Sequence, residues 1–309
     1  MKLSVVMTAL IRTLLIAFPL EARPASLPQQ APTDEASLSQ IGQGEGNFEI
    51  DGSGTKLPFR LSKGYLIMVE GQIGTRTHLN FILDTGASTS IVDSKIADTL
   101  KLNRGQIESF NFDRNLTWGQ AVVPDVRFGP VTAKNVVMLV GNLAAYSEFA
   151  RDADAIIGLD LLSSSRFTVD YRTKNLVFHW FDHGTKGTHY EVISNGLVLE
   201  IEVQGRPVRL IVDTGFPKIL LFQERLQERV PELRTTGEIF YVTIGNRMQA
   251  KQAMLPGVSI GPTRRDLSVL LTKAPAPEML PGIDGVIGIA ALHARRVNFD
   301  FAAGTLSWE

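Results

Sequence analysis

The chain carries the same pattern twice, and that repeat constrains the fold more than any other feature. Asp84-Thr85-Gly86 closes the apolar run Phe81-Ile82-Leu83, and Asp213-Thr214-Gly215 closes Leu210-Ile211-Val212. The first copy is followed by Asp154-Ala155-Ile156-Ile157-Gly158-Leu159, Phe167-Thr168-Val169-Asp170-Tyr171 and Leu176-Val177-Phe178. The second is followed by Asp284-Gly285-Val286-Ile287-Gly288-Ile289, Val297-Asn298-Phe299-Asp300-Phe301 and Leu306-Ser307-Trp308. The copies keep register at an offset of 129 or 130 residues. One residue of slippage over a whole half is the mark of a duplicated folding unit. A lone Asp-Thr-Gly would read as a turn after a strand, because Asp and Gly are ordinary turn residues. Two copies in matching surroundings call for another explanation.

Composition sets the bounds. With 309 residues there is room for two cores. The net charge is −1 and there is no basic run, which speaks against a nucleic-acid surface. Without cysteine, disulfides, thiolate catalysis and cysteine metal sites are excluded.

The N-terminus reads as an export signal over residues 1–22: Lys2, then mostly apolar residues from Leu3 to Leu20, then small residues near Ala22 and Ala25. Arg12 and Pro19 interrupt the apolar stretch, and an uncleaved membrane anchor is the lesser alternative. The expected location is periplasmic or secreted. Residues 23–57 have the Pro, Gln, Ser and Gly content of a flexible linker, or of a propeptide. Gly42-Gln43-Gly44-Glu45-Gly46 has no strand before it and no helix start after it, so it is not read as a phosphate loop.

Short strands dominate from Leu57 onward. Tyr65–Val69 and His78–Leu83 flank a turn at Gly74–Thr77, and Leu197–Val203 and Val208–Val212 flank Gln204–Pro207; both pairs predict hairpins leading into the motif. Short helices are predicted over Ser94–Leu102, capped by Ser94, and over Gln223–Val230. The turn-rich segment 183–189 divides an N-terminal lobe, 58–182, from a C-terminal lobe, 190–309.

Two carboxyl groups about 3 Å apart cannot both ionise, so they share one proton. The ionised member can activate water while the protonated member polarises an amide carbonyl. No metal, cofactor or covalent intermediate is needed, and a duplicated chain supplies the two equivalent acids. Asp84 and Asp213 are therefore the candidate catalytic pair. Gly86 and Gly215 are expected at positive φ, turning backbone N–H groups toward the carboxylates. Thr85 and Thr214 are expected to tie the two loops together.

With these residues in view, the chain resembles the aspartic peptidases over roughly residues 58–309. The two-lobed layout is similar to pepsins; Asp84-Thr85-Gly86-Ala87-Ser88 and the short lobes are closer to retropepsins and their bacterial relatives. The resemblance implies an all-β fold of two barrel-like lobes related by a pseudo-twofold axis, with few short helices, a cleft between the lobes and hairpin flaps over it. It also implies a monomer acting on a peptide or protein, without cofactor, metal or nucleic acid. In that family Gly158 and Gly288 would end strands passing beneath the catalytic loops. Ala87 and Phe216 replace the hydroxyl residue that pepsins place after the tripeptide. They are candidate substrate-binding residues together with Trp118. Phe216-Pro217 fits neither pattern, and a less acidic working range or an asymmetric dyad is expected. The flaps are expected near Asp113–Gly119 and Ile244-Gly245-Asn246.

Other groupings are weaker. His179, His183 and His189 lack an acidic partner at ligand spacing, and Asp152 and Asp154 do not continue into a calcium loop. No Gly-x-Ser-x-Gly is present. Two alternatives to a peptidase stay open: a non-catalytic peptide-binding homologue whose dyad Phe216 distorts, and an envelope-interaction protein of the same fold.

Overall fold

A computed structural model describes residues 47–50, 54–111, 114–146, 148–178, 187–193, 196–226, 230, 233–243, 246–260, 263–275 and 280–309. The expected signal segment, most of the linker, His179 and His183 lie outside the described residues. The chain is all-β, with only short helices, and the two repeats form two lobes.

Each repeat builds the same knot of strands around its motif. Arg76–Leu83 carries Asp84 at its end and runs parallel to Ala155–Ile157, while Ile91–Asp93, after the Asp-Thr-Gly loop, pairs with that strand from its other side. In the second lobe Arg206–Asp213 lies parallel to Gly285–Gly288, and Ile219–Phe222 pairs antiparallel to it. The apolar-apolar-Gly strand is thus clasped by the two arms of the Asp loop. Being flanked on both sides, it reads as a continuous buried apolar run rather than an alternating one. The repeated aspartates ahead of it fasten the clasp. Asp154 accepts from the Asn80 N–H at 2.8 Å, and Asp284 accepts from the Arg209 N–H at 2.9 Å.

The lobes share one antiparallel sheet, in the order Lys56–Ser62, Asn175–Phe178, Phe167–Asp170, Arg296–Asp300, Thr305–Trp308, Thr188–Ile193. Its central pair joins the repeats, with Phe167 opposite Phe299 and Val169 opposite Val297. The pseudo-twofold axis therefore passes at Thr168 and Asn298, whose side chains hydrogen-bond at 2.6 Å. Asp170 and Asp300 each accept from the N–H three residues on, Thr173 and Ala303, and turn the chain identically in both halves.

Both predicted hairpins are present, Leu66–Ile73 with Arg76–Leu83 and Gly196–Val203 with Arg206–Asp213. Two expectations need correction. The first helix runs Ser94–Thr99, and its cap is Asp93, whose side-chain oxygen accepts from the Lys95 N–H at 2.9 Å; Ser94 is already the first helical residue, so it cannot be the cap. The second expected helix is described over Gln223–Leu226, and the Val230 N–H bonds to the Leu226 carbonyl at helical spacing, while residues 227–229 lie outside the described residues. The 23–57 segment is not wholly a linker. Asn47–Ile50 adds to the edge of Val131–Gly141, and the first strand of the shared sheet starts at Lys56. Such a four-residue strand between glycines is too short for its alternation to register. In the same way Thr188 and His189, assigned to the interlobe linker, already pair with Thr305–Leu306.

Each lobe also extends a long hairpin: Gly105–Asn111 with Arg114–Phe128, and Arg234–Thr243 with Asn246–Ile260. The flaps expected near Asp113–Gly119 and Ile244-Gly245-Asn246 fall in these stretches of sequence, and residues 112–113 and 244–245 lie outside the described residues.

Candidate active site

Asp84 and Asp213 end equivalent strands and meet at the junction of the lobes. Both are about 1 % exposed, and their carboxyl groups hydrogen-bond to each other. Each also accepts from the glycine two residues on: the Gly86 N–H reaches Asp84 Oδ1 at 2.8 Å, and the Gly215 N–H reaches Asp213 Oδ1 at 2.7 Å. Burial raises the Asp84 pKa from 3.8 to about 6, against the opposing bonds from Asp213 and from the N–H groups of Gly86 and Ala87. The pair titrates as a unit.

The glycines are required, but not for the expected reason. Gly86 and Gly215 do not adopt positive φ. Their constraint is proximity to the opposite lobe. A Cβ on Gly86 would lie 2.5 Å from Asp213 Cγ, and one on Gly215 would lie 2.9 Å from Asp84 Oδ2. Any side chain there would drive the carboxylates apart. Gly158 and Gly288 let the clasped strand pass close beneath each loop. A Cβ at these positions would meet the Ala87 carbonyl oxygen at 2.7 Å and the Phe216 carbonyl oxygen at 1.8 Å.

Thr85 and Thr214 tie the loops together across the axis. The Thr85 N–H donates to Thr214 Oγ1 at 3.0 Å, and the Thr214 N–H donates to Thr85 Oγ1 at 3.1 Å. Each hydroxyl then donates to a carbonyl of the other lobe, Thr85 to Val212 at 2.9 Å and Thr214 to Leu83 at 2.7 Å.

Ala87, Phe216 and Trp118, the candidate substrate-binding residues, are packed inside the lobes, at 0 %, 0 % and 2 % exposure, rather than lining an open wall. The reason is a volume exchange. Ala87 and Trp118 belong to one buried cluster, and Phe216 and Ala250 belong to its counterpart in the second lobe. Strand register places Ala250, opposite Ile239, where Trp118 stands opposite Ile107. A small residue after the motif goes with a large one on the hairpin in the first lobe, and the reverse holds in the second. Phe216 therefore packs within the buried cluster of its own lobe.

Two groups escaped the sequence reading. Asp160 accepts from the Ser90 N–H at 2.9 Å, the Ser90 hydroxyl at 2.6 Å and the Leu161 N–H at 3.0 Å, fixing the end of the first catalytic loop. Its pKa is pushed up to about 6 by burial. In the second repeat Ile219 and Ala290 occupy these places, so no duplication signal marked the pair. Tyr65, at 8 % exposure, lies within electrostatic reach of the dyad. Burial, then the charges of Asp213 and Asp84, hold its phenol neutral. Among the described residues, no three His, Asp or Glu side chains gather as metal ligands would.

Residues 69–164 match the family described as "gag-polyprotein putative aspartyl protease", and residues 199–291 match the family described as "Aspartyl protease". No curated protein matches the chain. Each match spans one Asp-Thr-Gly loop with its clasped strand, so the tandem matches coincide with the two lobes. The chain belongs to the retropepsin-like aspartic peptidase family, with both lobes carried in one polypeptide.

Proposed function

We propose that this chain is an aspartic endopeptidase that hydrolyses peptide bonds with a water activated between Asp84 and Asp213. The observation that carries this reading is the pair of buried, mutually hydrogen-bonded carboxyls, each fed by the N–H of its own loop glycine. One shared proton suffices for the reaction. The ionised oxygen takes a proton from water as it attacks the carbonyl carbon, and the protonated oxygen donates to the carbonyl oxygen. In the second step the dyad gives its proton to the departing nitrogen and takes one from a hydroxyl of the tetrahedral diol, so the C–N bond breaks, the carbonyl re-forms and the one-proton state is restored. The threonine ties keep the two acids at fixed separation, which is the positioning this chemistry needs.

The binding-only alternative drew its motive from Phe216, and the burial of that ring within its own lobe removes the motive. Incubation with an unbiased peptide mixture from pH 3 to 8 tests the reading. Cleavage by the native chain and none by Asp84→Asn is the expected result; a native chain that cleaves nothing overturns it. We further propose that the protein acts as a monomer and is exported after removal of about 22 residues, on the charged start and apolar run of the N-terminus. N-terminal sequencing of protein from its source tests the cleavage, and an intact Met1 contradicts it.

A further inference from the structure

The two Asp-Thr-Gly loops rest on equivalent strands but are closed onto them by different groups. In the first lobe a single peptide group, between Ile157 and Gly158, holds both ends of the loop. Its carbonyl accepts from the Asp84 N–H at 3.0 Å, and its N–H donates to the Ser90 hydroxyl oxygen at 3.0 Å. In the second lobe the Gly288 N–H donates instead to a backbone carbonyl, that of Lys218, at 2.8 Å. Ile219 stands at the position of Ser90. The first loop is thus closed through a side chain, where the second uses the main chain.

A hydroxyl turns about its C–O bond, so by itself it does not fix the direction in which it accepts. Asp160 removes that freedom. Its Oδ1 accepts from the Ser90 O–H at 2.6 Å, which leaves a lone pair of the hydroxyl oxygen for Gly158. Its Oδ2 accepts from the Ser90 N–H at 2.9 Å. Asp160 is itself held: Oδ1 also accepts from the Leu161 N–H at 3.0 Å, and the Asp160 N–H donates to the Ser88 carbonyl at 3.3 Å. Ser90 is fully buried, so bulk water does not replace a lost partner. Ala290, at the position of Asp160, has no side-chain acceptor to offer.

We propose that Ser90, oriented by Asp160, is a positioning residue for Asp84: it fixes the Ile157–Gly158 peptide group and, through that group, the backbone that carries the Asp84 carboxyl. Without the hydroxyl the Gly158 N–H is left without its acceptor. A tilt of the peptide group toward a new acceptor would carry its carbonyl away from the Asp84 N–H. The two carboxyls meet across the lobes, so a shift of one loop alone alters their separation. The positioning role rests on the peptidase reading; the relay from Asp160 through Ser90 to Gly158 does not.

The test uses Ser90→Ala and Asp160→Asn in the full-length chain, with turnover of a cleaved peptide read beside the backbone amide NMR signals of isotope-labelled protein. Ser90→Ala should lose about tenfold in kcat with KM changed by less than about twofold, because the geometry of the acids is altered and peptide binding is not. The amide signals of Gly158 and Asp84 should move, while that of Gly288, closed by Lys218, should stay. Asp160→Asn keeps the Ser90 hydroxyl but anchors it less firmly. It should move the same signals and lose about threefold in kcat, and it covers the case in which Ser90→Ala does not fold. Native kcat in both variants, or a loss of kcat with the Asp84 signal unmoved, overturns the proposal. An Asp84 signal that moves in a protein whose native form cleaves no peptide keeps the relay and overturns the peptidase reading.

Discussion

Thr85 and Thr214 exchange backbone N–H donation to each other's hydroxyl at 3.0 and 3.1 Å, and each hydroxyl donates onward to the strand that carries the opposite aspartate. The four bonds are buried, and they join the lobes within one residue of both Asp84 and Asp213. Stability and the geometry of the carboxyl pair are therefore coupled here. Thr85→Val keeps the shape but leaves the Thr214 N–H and the Val212 carbonyl without their partners. A buried group left unsatisfied costs about 1–3 kcal/mol, so for the two a loss of roughly 2–6 kcal/mol is expected, with activity falling alongside it. Thr85→Ser retains donor and acceptor and should stay near native. Urea denaturation of the two variants, read beside turnover, checks this; equal stability of Val and Ser would show that the hydroxyl ties contribute little.

Asp84→Asn and Asp213→Asn should each abolish cleavage and leave the circular dichroism spectrum unchanged, because the mechanism needs one proton shared by two acids. The pH profile follows from the same pair. Asp84 keeps its proton up to about 6, so activity should fall as pH rises through that value and the bridging proton is lost. The asparagine variants should not be less stable than the native chain at neutral pH, where burying the ionised pair is a cost. Either variant turning over at the native rate removes that residue from the mechanism.

The Phe216 puzzle turns into a packing experiment. Phe216→Ala empties a fully buried site and should cost about 3–5 kcal/mol. Ala250→Trp alone overpacks the same cluster and should cost about 1–3 kcal/mol. Together they copy the Ala87 and Trp118 arrangement of the first lobe, and the double variant should recover to within roughly 2 kcal/mol of native. Strict additivity in a double-mutant cycle would mean that the two positions do not share one space.

What the sequence disclosed was what the duplication wrote twice. The paired aspartates, the threonine ties, the clasped Gly158 and Gly288 strands and the hairpins all recur at an offset of 129 or 130 residues, and all could be read from it. The features that break the symmetry stayed hidden. Tyr65 has Asn195 as its counterpart, and Ser90 with Asp160 corresponds to Ile219 with Ala290. Phe216 looked anomalous because its compensation, Ala250, lies on a distant hairpin, and only strand register brings the two into one cluster. The glycines of the motif were identified correctly and explained wrongly. A turn gives local reason for a glycine, whereas contact with Asp213 or Asp84 from the other lobe is visible only once the chain is folded.

Asp160 gives a pH signature separable from the dyad. Its folded pKa is about 6 against an ordinary value of 3.8, so the native state holds this proton more tightly than the unfolded chain does. The sign follows: its contribution to stability is fully present below about 3.8 and is lost as pH rises through about 6. A shift of this size corresponds to about 3 kcal/mol as an order of magnitude. Asp160→Asn offers Ser90 one acceptor and one donor without a charge, so it should be nearly independent of pH in this window. The native dyad loses stability over the same range in both proteins, and subtracting the two stability curves between pH 4 and 7 isolates Asp160. The expected difference moves in favour of the asparagine variant as pH rises. A flat difference would show that the carboxylate is already ionised at pH 4 and that its three hydrogen bonds outweigh burial.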